Sequence, residues 1–211
     1  VKKINTDLTY RAILYPYFDH SFYEKLGTSI IFGKKVDEYG TTIFLPLELR
    51  KSLQLIQYEN HLLFKESQTL SDIKKESPSS SWNHFYTYAL LLGLIVLMNN
   101  RGVDLFYFLI MGLLGIFFVF VGVYSYHQEL AYNYNVLLFN PALLVLLYFM
   151  LTNNKKWIIR LCVLNVLSIL VYLIVMLNKI HLMIVLPMAA TSVILLLKMA
   201  FRNSKRIPIR L

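Results

Sequence analysis

Apolar residues run through the second half of this chain in long stretches, and through the first half in short ones that polar residues interrupt. Leu105 to Ser125 holds no charged residue. At about 1.5 Å of rise per residue, a helix of that length crosses a hydrocarbon core of roughly 30 Å. The polar loop Tyr126-His127-Gln128-Glu129 follows, and a second apolar run is entered through Asn133-Tyr134-Asn135 and Asn140-Pro141. From Trp82 onward the pattern predicts five membrane helices, at about 84–99, 105–125, 136–152, 158–178 and 182–201. The third is expected to be kinked or re-entrant, because Pro141 interrupts its start.

Before residue 82 the pattern changes. Tyr10 to Leu14 predicts a short helical turn stopped by Pro16, since the residue before a proline is pushed out of the helical region. Phe22, Leu26 and Ile30 recur at helical spacing and predict a helix ending at Gly33. Lys34 to Gly40 reads as a charged turn. Leu49, Leu53 and Ile56 mark a helix face within 47–64 that starts after Pro46. Few strands are expected here, and too little core for an independent domain, so this part is expected to pack on a partner. Residues 65–81, with Ser77-Pro78-Ser79-Ser80-Ser81, form a polar linker. The expected organisation is thus mainly α: a short, mostly helical segment over 1–64, the linker, and a five-helix membrane domain over 82–211.

Composition agrees with this class. The chain is 57% hydrophobic and 16% charged, too apolar for a soluble domain of its length. The net charge of +9 is unevenly placed: residues 1–82 carry 11 Lys/Arg against 10 Asp/Glu, residues 83–211 carry 10 against 2. An excess that flanks membrane segments is a topology signal rather than a nucleic-acid footprint, and no nucleic-acid partner is expected. With five crossings, Arg101, Lys155, Lys156, Arg160, Lys198, Arg202, Lys205, Arg206 and Arg210 share one side. The membrane loops of the other side hold only Lys179. The positive-inside rule then makes the C-terminal tail cytoplasmic and puts residues 1–81 and the His127 loop across the membrane.

The candidate chemistry lies in that loop. A histidine polarised by a carboxylate can remove a proton from an amine, which makes His127 and Glu129 catalytic candidates; shaping a lipid headgroup, docking the first segment, or plain solvation are the alternatives. Asn133, Asn135 and Asn140 have side-chain N–H groups suited to phosphate or ester oxygens, or else cap the third helix. Tyr126, Tyr132 and Tyr134 read as interfacial anchors. His20, His61 and His181 read as structural, Asn165 and Ser168 as hydrogen-bonding between helices, and Lys198 as snorkelling to headgroups. The lone cysteine, Cys162, lies mid-helix and reads as a small hydrophobe. No phosphate loop, HExxH or CxxC pattern occurs, so neither metal nor cofactor is expected. A chain that opens on Val1 is expected to be the end of something longer.

Several of these residues carry a resemblance. Leu8-Thr9-Tyr10-Arg11-Ala12-Ile13, Gly27, Phe32-Gly33, Asp37 and Phe44-Leu45-Pro46-Leu47-Glu48-Leu49 are similar to the downstream half of the papain-like periplasmic domain of Lnb-like lipoprotein N-acyltransferases. Gly112-Leu113-Leu114-Gly115, His127, Asn133-Tyr134-Asn135-Val136-Leu137-Leu138 and Asn140-Pro141 resemble the membrane domain of the same family. The resemblance implies a protein of the bacterial inner membrane that moves an acyl chain from a lipid donor to the amino-terminal cysteine of a lipoprotein. It implies a phospholipid or lipoprotein substrate, and an upstream papain-like domain or another membrane protein as partner. The family's nucleophilic cysteine and its histidine have no match here, and Gly40-Thr41-Thr42 stands where the family has an arginine. The alternative is a non-catalytic membrane scaffold of an envelope assembly.

Overall fold

The computed structural model describes residues 6–43, 45–59, 61–62 and 80–204. In chain order its helices are α1 (Tyr10–Leu14), α2 (Phe22–Ile31), α3 (Pro46–Leu55), α4 (Phe85–Met98), α5 (Arg101–Tyr124), α6 (Ala142–Leu151), α7 (Lys155–Met176) and α8 (Leu182–Ser204). The strands are β1 (Gln57–Tyr58) and β2 (His61–Leu62). The chain divides into two compact units, one of residues 1–20 and 36–79, the other of residues 21–35 and 80–211. Most of the expected linker, and the basic tail from residue 205, lie outside the described residues.

The first unit is held by polar contacts around α1. Thr9 caps the helix, its hydroxyl accepting from Ala12 N at 3.2 Å. A 3₁₀ helix, Tyr15–Phe18, follows α1 with Pro16 in its first turn. Arg11 Nε donates to Asp37 Oδ1 at 2.7 Å, with both side chains almost fully buried. The backbone repeats this link: Thr9 bridges Tyr39, Tyr10 N donates to Glu38 O, and Gly40 N donates to Leu8 O. The Tyr10 hydroxyl accepts from Thr41 N at 3.1 Å and Thr42 N at 3.0 Å and contacts the Thr41 hydroxyl at 3.2 Å. The Thr41 hydroxyl bond, helped by the two backbone donors against partial burial, brings the phenol down to about 8.

The helix expected within 47–64 is shorter than its pattern. It ends at Leu55, Ile56 is extended, and β1 pairs antiparallel with β2 across a turn in which Glu59 takes φ 50°. The β-branched and aromatic residues Ile56 and Tyr58 favour extended backbone there.

The second unit is a membrane bundle. Among the described residues, four segments are long and apolar enough to cross a bilayer: α5, Tyr134–Leu151, α7 and α8. Only about a third of each is buried inside the protein, 33–39%. The remainder, including Leu113, Phe120, Leu164, Val171 and Ile174, is exposed apolar surface that lipid must cover. The first predicted span, α4, is shorter, since Asn99 takes a left-handed conformation after Met98. The third is broken as Pro141 foretells: Tyr134–Leu137 forms a 3₁₀ turn, and α6 starts only at Ala142.

The core lies between α5, α6, α7 and α8, where Phe108, Leu146, Tyr172, Met176, Val185 and Leu196 are fully buried. Several polar groups inside it are paired locally. Tyr107 Oη lies 2.8 Å from Ser192 Oγ and donates to Met188 O at 3.2 Å. Ser168 does bond between segments, donating to Leu137 O at 2.8 Å, whereas Asn165 turns back on its own helix to Leu161 O. Lys198 Nζ reaches Val96 O of α4 at 2.7 Å and so ties α8 to α4.

The unit also takes in α2, from within the stretch expected as the first segment. Its spacing of Phe22, Leu26 and Ile30 makes one apolar face. Leu26 joins the bundle core, and the Phe22 ring packs on Phe85 and Tyr88 of α4 at centroid distances of 5.7 and 5.3 Å. Tyr23 N donates to Asn83 Oδ1 at 2.8 Å and fixes the start of α2.

Candidate functional site

Where α5 ends, Ser125 is extended and the loop from Tyr126 to Asn133 begins. His127 N donates to Ser125 Oγ at 3.1 Å, and Leu130 N and Ala131 N fold back onto His127 O and Gln128 O. The side chains of Tyr126, His127, Glu129 and Tyr132 are exposed. Glu129 is held through its backbone instead, its carbonyl accepting from Gly33 N at 2.8 Å. Gly33 itself lies so close to the Ala131 carbonyl that any β-carbon would overlap it. The chain after α2 therefore lies directly on the loop, and glycine permits that approach.

The asparagines turn inward. Asn133 Nδ2 donates to Ile30 O at 2.8 Å and Ile31 O at 3.0 Å. Asn135 Nδ2 is shared among Ser29 O, Ile30 O and Asn133 Oδ1, and Asn135 Oδ1 accepts from Tyr172 Oη at 2.8 Å. These bonds satisfy the carbonyls that the last turn of α2 leaves free. Asn133 Oδ1 also receives Asn135 N and so caps the 3₁₀ turn, and Asn140 Oδ1 receives Ala142 N and caps α6. Asn140 Nδ2 contacts Ser168 Oγ at 3.3 Å. Asn133 and Asn140 thus cap parts of the broken third span, while the Asn135 amide bonds α2 and Tyr172. Asn135, fully buried, has both ends of its amide engaged by protein.

A second group was not visible in the sequence. Tyr134 stacks on His181, with centroids 6.1 Å apart and planes 22° apart, and Lys179 Nζ lies 5.8 Å from the Tyr134 ring centre. His181 is fully buried. The buried Tyr134 hydroxyl has no hydrogen-bond partner among the described residues. The only sequence signal was a polar Lys-Ile-His turn between two apolar runs, which says nothing about which loop it meets.

Beside these groups opens a groove of about 630 Å³, lined by Phe118, Val119, Val123, Tyr132, Asn133 and Tyr134. Its apolar wall is the last two turns of α5, and its far end is the polar loop. An open groove of this kind accommodates a linear hydrocarbon chain whose polar end stays at the loop. Among the described residues no cluster of His, Cys, Asp or Glu has the arrangement of a metal site.

The model of the Lnb transmembrane domain matches residues 82–206. The chain belongs to this family. The Lnb match begins just before α4 and takes in all five helices of the bundle, with the loop, the groove and the Asn133–Asn135 pair. Neither the curated proteins nor the solved structures supply a match.

Proposed function

We propose that this chain is the membrane part of a lipoprotein N-acyltransferase of the bacterial inner membrane, moving an acyl chain from a phospholipid to the amino-terminal cysteine of a lipoprotein. The Lnb match over residues 82–206 carries this reading, and the groove beside the loop supports it. In such a transfer a thiolate attacks the ester carbonyl of the donor, the carbon–oxygen bond breaks, and the lysolipid leaves with a proton. The lipoprotein amine then attacks the thioester, an amide forms, and the thiol is restored.

Cys162 is not that thiol, because it is buried within α7. Residues 1–64 then belong to a papain-like domain whose nucleophile lies outside these 211 residues. The bundle would hold donor and acceptor beside it, replacing a bimolecular search with high local concentration. The exposed pair His127 and Glu129 is available to accept the proton the amine loses.

The test is expression of the full reading frame in a bacterium depleted of its own lipoprotein N-acylation, with mass spectrometry of lipoprotein N-terminal peptides. The expected result is a mass gain of one acyl chain. Val119→Trp, which fills the groove, is expected to lower the yield roughly tenfold, about 1.4 kcal/mol of barrier. A well-expressed protein that adds no acyl chain overturns the proposal. That outcome would favour the scaffold reading, to which the engagement of Asn133 and Asn135 with α2 already lends support.

A further inference from the structure

α4 is too short to cross a bilayer by itself, and its register against α8 fixes the end at which it falls short. Both helices run from the loop end of the bundle toward the end where α5 begins. They are tied twice near that lower end, by Lys198 Nζ donating to Val96 O at 2.7 Å and by Arg202 Nη2 donating to Asn99 Oδ1. Counted back from these ties along each helix, Phe85 stops about 8–9 Å short of the level of Leu182, where α8 begins. The bundle therefore has a step at its loop end, above the start of α4.

α2 occupies that step. Phe22 packs on Phe85 and Tyr88, Leu26 joins the bundle core, and Tyr23 N bonds Asn83 just before α4. At the other end of α2, the Ser29 and Ile30 carbonyls meet the Asn135 amide, whose oxygen accepts from Tyr172. Tyr172 stands about 6 Å before the last residue of α7. Both ends of α2 thus lie below the level at which α7 ends and α8 begins. At that height α8 still shows exposed apolar side chains, Met183 and Leu186, which only lipid can cover.

We infer that α2 is an interfacial helix, seated in the boundary layer of the leaflet at the loop end, with phospholipid against the face it turns away from the bundle. The residues suit that seat. Phe22, Leu26 and Ile30 face the protein, whereas Tyr23 is exposed and Gly27 has open space on its outward side. The exposed charges sit at the two ends, Glu24 in the first turn and Lys34 just past the last, where they reach headgroups and water. Trp82 and Tyr86, 75% and 84% exposed, flank the start of α4 beside Tyr23, and Trp and Tyr side chains gather where hydrocarbon meets headgroups. Attachment of an amphipathic helix scales with the apolar area it buries, so a helix of 10 residues owes its seat to the bundle as well as to lipid. The inference does not depend on the acyl-transfer reading, because the register of α2, α4 and α8 is the same whatever reaction the loop serves.

The test uses the full chain in phosphatidylcholine vesicles, part of the lipid carrying bromine on its acyl chains either near the glycerol or near the methyl end, with tryptophan fluorescence as the readout. The chain's own tryptophans are Trp82 and Trp157, so Tyr23→Trp is placed in a Trp82→Phe, Trp157→Phe background. Its emission is expected to be quenched about 2-fold more strongly by bromine near the glycerol than by bromine near the chain end, and less by aqueous iodide than free tryptophan is. Quenching by iodide and by neither brominated lipid would put α2 in water. Emission that no quencher reaches would put its outer face under protein, and stronger quenching by bromine at the chain end would put it in the membrane centre. Each of these overturns the inference. Gly27→Trp in the same background repeats the measurement from a position where a β-carbon meets nothing within 4 Å. Trp82 itself, alone in Trp157→Phe, reports the start of α4 with α2 unaltered. The same order of quenching is expected there, and a Trp82 that answers only to iodide would mean that the step lies outside the lipid, which sinks the inference as well.

Discussion

Single side chains set the strongest local constraints in this protein, and Asn135 is the clearest case. It sits at zero exposure between α2, the 3₁₀ turn and α7, and its amide is bonded at both ends. Asn135→Leu removes the donor that Ser29 O and Ile30 O share and the acceptor of the Tyr172 hydroxyl, in a dry place, while Ile30 O keeps its bond from Asn133. A loss of about 1–3 kcal/mol is expected. A fall in thermal midpoint with faster amide exchange in 22–31 checks it; an unchanged midpoint would mean that α2 is held by its apolar face alone. In the first unit, Asp37→Asn removes the charge that Arg11 faces in a buried site, and a loss of about 3–5 kcal/mol is expected. Its measure is faster hydrogen exchange over residues 6–20. Tyr10 adds a pH dependence. Its phenol is lowered to about 8 from the ordinary 10.0, so the folded form binds the proton more weakly than the unfolded one. The stabilisation is complete above pH 10 and is lost as pH falls through 8. Ultraviolet titration should show a tyrosinate step near pH 8 that Tyr10→Phe abolishes.

At the scale of elements, the close contact of α5 with the broken third span depends on two glycines. A β-carbon on Gly115 would overlap the Phe139 carbonyl, and one on Gly112 would lie 2.7 Å from the Leu144 side chain. Leu144 can shift; the Phe139 backbone, in the turn before Pro141, has little room to do so. Gly115→Ala is thus expected to cost about 1–3 kcal/mol and Gly112→Ala less, as overpacking does. Denaturation of both variants in one detergent gives the order, and the reverse order would put the tight contact elsewhere. These elements were legible to different degrees. Membrane spans declare themselves because their helices are apolar all round, and Pro141 marked the break. The amphipathic face of α2 was legible, but its partner was not: Phe22, Leu26 and Ile30 fit any apolar surface, and the match to α4 and α8 exists only in three dimensions. For the same reason the Asn-Tyr-Asn series fitted both ligand binding and capping. Only the positions of the α2 carbonyls separate the two.

For the whole molecule, the distribution of charge makes a prediction about sidedness. Among the described residues, Arg101, Lys155, Lys156, Arg160, Lys198 and Arg202 lie toward the end of the bundle where α5 and α7 begin, against Lys179 in the loops at the other end. Such asymmetry orients a polytopic chain because cationic loops resist translocation. It also accounts for chemistry at both ends. The basic end gathers Arg101, Lys155 and Arg202 around Asp104, while the exposed His127 and Glu129 lie in the loop at the other end. The expected topology puts Tyr126 to Glu129 in the periplasm and Lys156 in the cytoplasm. The single buried cysteine makes this simple to measure in a Cys162→Ala background. An impermeant maleimide should label Gln128→Cys in intact spheroplasts and Lys156→Cys only after the membrane is opened. Labelling of Lys156→Cys in intact spheroplasts would invert the bundle, and the acyl-transfer reading would fail with it, because its loop and groove would face the compartment from which exported lipoproteins have already departed.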